Sequence, residues 1–346
     1  MSHPARLSLR APPHLPFIQG WPGIPNDPAR KGAAVHGTVE VRIGPSPIKA
    51  RWVRAEVRKY ESPPPGFPTQ GETWEHVGEI STLWAAPAGK EWDNLEQADF
   101  KFYIPLPSDI PPSVDLPKNT GIRYELVAAL CYRQKGGVFK KESAPVMKIS
   151  EPLRITKHDL HSAWPLYNNP DSRTVSGANG EVALTVKRPS TAFGPTDRVL
   201  FTASIRSSRA RPFKLKGFEC ALFEIVTVTP PPQVGTSKGK KNKGPPQPVI
   251  KSRQLTGSRL VVDESVGKGG EKSARIDFAV PTDKLLVTVR HARSLSVEYE
   301  MEVKAVFDSG IPELAMKGIK YTVGPFARSH AQQAVRCVWL QHHWPS

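Results

Sequence analysis

Apolar residues recur at every second position through much of this chain, the spacing of a strand with one face turned to a core. In AVHGTVEVRIG (34–44), Val35, Gly37, Val39 and Val41 alternate with His36, Thr38, Glu40 and Arg42. In ARWVRAEVRKYE (50–61), Val53, Ala55 and Val57 share one face, and Trp52, Arg54, Glu56 and Arg58 share the other. A weaker strand is expected around EHVGEISTLW (75–84), and a single helical turn at DNLEQAD (93–99). DFKFYIP (99–105) places Phe100, Phe102 and Ile104 on one side before Pro105, Pro107, Pro111 and Pro112 forbid continuation. GIRYELVAALCYR (121–133) and APVMKISEPLRIT (144–156) complete the first half.

The second half repeats this order. EVALTVKRP (181–189), DRVLFTASIRS (197–207) and FKLKGFECALFEIVTV (213–228) are alternating strands, followed by SRLVVDESV, ARIDFAVP, SLSVEYEMEVKAVF and GIKYTVGPF. ARIDFAVP (274–281) copies the proline-stopped strand, with Ile276, Phe278 and Val280 alternating before Pro281. Tyr124-Glu125-Leu126 follows Phe102 after 22 positions (124 − 102), and Tyr299-Glu300-Met301 follows Phe278 after 21 (299 − 278). RWVRAEVRKYE (51–61) finds its counterpart in KGFECALFE (216–224). The expected fold class is all-β: two tandem immunoglobulin-like β-sandwiches produced by duplication.

Composition agrees with short strands. Of 346 residues, 36 are proline, about twice the usual ~5%. Their spread along the chain excludes long helices. No apolar stretch approaches the ~20 residues that cross a bilayer. The opening MSHPARLSLRAPPHLPF has no continuous apolar core, so a cytosolic location is expected. Cys131, Cys220 and Cys337 are odd in number and far apart, which fits buried thiols in a reducing compartment better than a disulfide framework.

The formal net charge is +16, which attracts nucleic acid, an anionic membrane face or acidic peptides. Lys238, Lys240, Lys241 and Lys243 lie in TPPPQVGTSKGKKNKGPPQPVIKSR (229–253), a segment expected to be a disordered insertion. They form a candidate membrane-binding cluster, each cation contributing about 1 kcal/mol near an anionic leaflet. The cluster lacks the interleaved aromatics of single-strand binders, so nucleic acid is not the expected partner. Ser294, in RHARS (290–294), is a candidate phosphorylation site for a basic-directed kinase. Gly235-Thr236-Ser237-Lys238-Gly239 matches the hydrolase elbow in letters alone, because no strand and helix flank it. His158 and His161 lack the further ligands that zinc needs. No enzyme activity, metal or cofactor is expected.

FYIPLPSDIPPS with GIRYELVAAL (102–130) resembles the core signature of an arrestin N-domain, and FGPTDRVLFTASIRS (193–207) resembles the opening of an arrestin C-domain. GTVEVRIGPSPIKARWVRAEVRKYE (37–61) with ITKHDLHSAWPLYN (155–168) is similar to the fungal α-arrestins, in particular the low-dye-binding class of arrestin-related trafficking adaptors. The likeness covers about residues 30–328. With residues 1–30 expected as a loose, proline-rich arm and 158–180 as a polar, turn-rich linker, the resemblance implies an N-domain (31–157) and a C-domain (181–328), followed by a tail (329–346). It also implies an adaptor peripheral to the plasma membrane and endosomes, whose partners are transporter or receptor tails, an anionic lipid surface and the WW domains of a HECT-type ubiquitin ligase. Such ligases read P-P-x-Y in a polyproline II segment, and this chain has none. The nearest matches are Pro64-Pro65-Gly66-Phe67 and Trp164-Pro165-Leu166-Tyr167, which make Pro64, Pro65, Phe67, Pro165 and Tyr167 the candidate ligase contacts. The alternatives are an arrestin-clan scaffold without a ligase role and a basic nucleic-acid-binding β protein.

Overall fold

The fold was read from a computed structural model that describes residues 5–10, 15–17, 33–65, 67, 71–107, 109–134, 143–157, 168–194, 197–230, 247–281, 285–290, 292–308 and 318–323. The chain is all-β: nineteen strands and one 3-10 turn, with no α-helix, account for the regular structure of the described residues. It divides into two compact units, residues 1–158 with 291–293, and residues 159–290 with 294–346.

In the first unit, β1 (Ala5–Arg10), β3 (Ala34–Ile43) and β7 (Ala98–Pro105) form one antiparallel sheet in the order β1-β3-β7. β4 (Ile48–Ser62), β5 (Thr73–Ala85), β9 (Thr120–Tyr132) and β10 (Val146–Leu153) form the other, in the order β10-β9-β4-β5. The short β6 (Asp93–Leu95) adds to β4 and β8 (Val114–Leu116) to β9. β2 (Leu15–Phe17) pairs in parallel with β11 (Ile155–Lys157). Alternation sets the core. Val35, Val39 and Val41 of β3 are fully buried, as are Val53 and Ala55 of β4 and Leu126, Ala128 and Leu130 of β9. The proline-stopped strand behaves as its pattern requires: Phe102 and Ile104 are buried while Tyr103 between them is exposed.

The second unit has β12 (Asp171–Gly177), β13 (Val182–Arg188), β14 (Arg198–Ser207) and β17 (Glu271–Ala279) in one sheet, ordered β12-β13-β14-β17. Its other sheet is ordered β16-β15-β18-β19, from β15 (Phe213–Val228), β16 (Val249–Val266), β18 (Leu295–Phe307) and β19 (Ile319–Val323). The order β5-β4-β9-β10 of the first unit is therefore met again, strand for strand, as β16-β15-β18-β19. β3 beside β7 returns as β14 beside β17, and β1 beside β3 as β13 beside β14. Ile276, Phe278 and Val280 are buried, as are Phe102 and Ile104 of the first copy, while Phe100 is half-buried.

Four expectations need correction. Residues 5–10, expected in a loose arm, form β1 with Ala5 and Leu7 buried against β3. The helical turn at 93–99 is instead β6 followed by the start of β7, because Asp93–Leu95 pairs with Ile48–Ala50. The linker is shorter than 158–180, since Asp171–Gly177 pairs with Val182–Arg188. The insertion is also shorter than 229–253, since β16 begins at Val249 and pairs with Val228. Cys131 and Cys220 are buried free thiols, and burial pushes the Cys220 thiol up to about 12.

Candidate docking groove

At one side of the first unit's sandwich, two strands end their sheets next to each other. β1 has a strand partner only in β3, and β10 only in β9, among the described residues. β1 alternates, so Leu7 turns into the core while Arg6 remains exposed. β10 alternates too, leaving Lys148 exposed and Met147 and Ile149 half-buried. Between them runs an open groove of about 750 Å³, lined among others by Arg6, Leu7, Arg42, Tyr132, Met147 and Lys148, with no carboxylate in its lining.

The groove offers three cations. The Arg42 guanidinium, held by a hydrogen bond to Asp99, has its pKa raised; Glu40 lies 3.4 Å from it. Arg6 and Lys148 make no ion pair among the described residues. The groove thus has an apolar floor, a positive rim, and two sheet edges whose outward backbone N–H and C=O groups have no strand partner. An extended anionic segment matches all three features: it can pair with a sheet edge, bury alternate side chains and meet the cations.

A second polar surface covers the outer face of the larger sheet in the same unit. Arg54 stacks over Trp52 at 4.5 Å, Arg58 over Trp74 at 4.5 Å and Arg123 over Tyr60 at 4.0 Å. Carboxylates answer two of these cations. Arg58 donates to Glu56 at 2.7 Å, and Arg123 pairs with Glu72 at 2.7 Å and with Glu125. That face is close to charge-balanced and poorly suited to a phosphate backbone, which rewards uncompensated cations.

Lys238, Lys240, Lys241, Lys243, Pro165 and Tyr167 lie outside the described residues, as do Ser237 and the two histidines 158 and 161. Pro65 is exposed and Pro64 half-buried, but Phe67 is only 8% exposed. Its ring would have to leave its packing to enter a WW domain. Ser294 is half-buried, and its carbonyl accepts the Thr229 N–H at 2.8 Å. None of these residues lines the groove. Among the described residues, no group of His, Cys, Asp and Glu is arranged to hold a metal ion, and no helix is long and apolar enough to cross a membrane. Arg6 and Lys148 were not singled out from the sequence, although the alternation in ARLSLR (5–10) was the signal for the first. The chain matches no family model and no curated protein.

Proposed function

We propose that this chain is a non-catalytic, arrestin-like adaptor that binds an extended acidic tail of a membrane transporter or receptor along β1 and β10. It would link that cargo to a HECT-type ubiquitin ligase for endocytosis. The observation that carries the reading is the groove itself: two open sheet edges, an apolar floor, Arg6 and Lys148 without ion pairs among the described residues, and no carboxylate in the lining. The basic balance of the chain supports attraction to anionic tails and to the lipid leaflet they emerge from. The ligase step rests on the resemblance alone.

The test is fluorescence anisotropy of a labelled peptide of about 12 residues, rich in Asp, Glu or phosphoserine, titrated with the full chain at about 50 mM salt. Arg6→Glu and Lys148→Glu should each weaken binding about tenfold, with no change in thermal stability beyond about 0.5 kcal/mol. Binding that both reversals leave intact, or no binding at about 100 μM, removes the groove from the account.

A further inference from the structure

β16 is the longest strand among the described residues, at 18 residues, and it is an edge. Of the other sheet edges, β5 has 13 residues, β17 has 9, β7 and β10 have 8, and β1, β12 and β19 have 6, 7 and 5. Long unpaired edges template the addition of another strand. Its side chains carry a second signal. The two most exposed large hydrophobics among the described residues are both on it, Ile250 at 63% and Val261 at 69%. A third signal is the order of its charges. Lys251 and Arg253 lie toward one end and Asp263 and Glu264 toward the other, with Arg259 between, so the strand is basic at one end and acidic at the other.

That order names the occupant. A strand added in parallel from another copy would lay like charges together. Added antiparallel, about a two-fold axis near Gly257, the basic end of each copy lies along the acidic end of the other, twice over. We infer that β16 is a self-association edge, through which two copies of this chain pair antiparallel into a continuous sheet. β16 shares no residue with the β1/β10 groove, and the inference does not depend on the adaptor reading. The flanking charges remain within reach of a partner: the side chains of Arg253, Asp263 and Glu264 are 54%, 48% and 50% exposed while bonded to Glu224, to Lys214 and Lys216, and to Lys272 respectively. Register shifts opposite Leu215/Gly217 and Leu222/Phe223 bend the edge. Such bulges limit open-ended stacking and favour one closed pair over a fibre.

The experiment is sedimentation velocity on the intact chain from about 1 to 200 μM at about 50 mM salt, with two single variants, Lys251→Glu and Glu264→Lys. Wild type should move from 38.1 kDa toward twice that mass as concentration rises. Each variant alone opposes like charges at both ends of the pair and should dimerise at least tenfold more weakly. Mixing the two variants restores both attractions, so the 1:1 mixture should regain dimer, which a folding defect could not produce. A wild type that stays monomeric throughout, a dimer that neither variant weakens, or a mixture no better than its parts would each overturn the inference.

Discussion

The two units share a strand order but fill the same corner with opposite charges. In each, a tyrosine on the strand that returns through the large sheet donates its hydroxyl to a carbonyl thirteen residues upstream. Tyr124 bonds to Pro111 at 2.5 Å, and Tyr299 to Leu286 at 2.7 Å. The residue facing that tyrosine across the sheet differs. Opposite Tyr124 stands Lys59, 4% exposed, paired with Glu61 at 2.8 Å and Glu75 at 2.5 Å. Opposite Tyr299 stands Glu224, also 4% exposed, which accepts from Arg253 at 2.9 Å and lies 3.2 Å from the Tyr299 hydroxyl. A buried cation with acidic partners in one unit has become a buried anion with a basic partner in the other. The backbone frame tolerates either sign; it requires only that the buried charge be answered.

The first way to break this comparison is to remove the buried charge where its partner is buried too. Lys59→Ala leaves Glu61, 2% exposed, without its ammonium. It should cost about 3–5 kcal/mol in urea unfolding, and Lys59→Met should recover little of it, since the buried carboxylate still lacks that cation.

Alkaline pH probes both corners at once. Burial pushes both tyrosines well above their ordinary pKa of 10.0, reinforced by Glu61 and Glu75 at Tyr124 and by Glu224 at Tyr299. Burial opposes the charge on Lys59, but the hydrogen bonds to Glu61 and Glu75 outweigh it, and its pKa is raised above 10.5. All three hold their protons longer folded than unfolded. Their stabilisation is complete below about pH 10 and is lost as pH rises, because the unfolded chain deprotonates first. Each contributes up to about 1.4 kcal/mol per pH unit to the fall. The check is urea midpoint against pH from 8 to about 11.5; a flat profile contradicts the corner geometry.

Tyr124→Phe and Tyr299→Phe should each cost about 1–2 kcal/mol, since the carbonyl of the buried Pro111 or the half-buried Leu286 loses its donor, and each should remove its share of the alkaline slope. The smallest effect falls on the exposed side of the comparison. Arg253→Ala removes a side chain 54% exposed, and the buried Glu224 keeps the Tyr299 hydroxyl at 3.2 Å and the Leu286 N–H at 3.4 Å as donors, so the loss should be about 1 kcal/mol. Equal losses from Lys59→Ala and Arg253→Ala would mean that burial does not separate the two corners.

Much of this frame was legible in the residues. Phe102, Ile104, Ile276, Phe278 and Val280 alternate without interruption, and two tyrosines follow at nearly equal distances, so the repeat could be read before the sheets were seen. The corners were harder. Ending both upstream strands on Glu sets Glu61 against Glu224, whereas in the sheets it is Lys59 and Glu224 that face the tyrosines, a shift of two residues that preserves the face. Alternation fixes which face a residue takes and leaves its partner across the sheet open. It also gave no reason to expect charged residues at 59 and 61 on the inward row, because a charge reads as solvent-facing until its partners are known. β1 was hidden by the prolines around it, although ARLSLR alternates. The groove depends on which edges finish side by side, a property of sheet order that no single segment encodes.

Hydrogen exchange of the full chain, with and without an acidic or phosphorylated peptide, tests the central claim most directly. Added protection should concentrate in Ala5–Arg10 and Val146–Leu153, the two edges that border the groove. Protection appearing elsewhere, or nowhere while the peptide is demonstrably bound, would contradict a docking role for that groove.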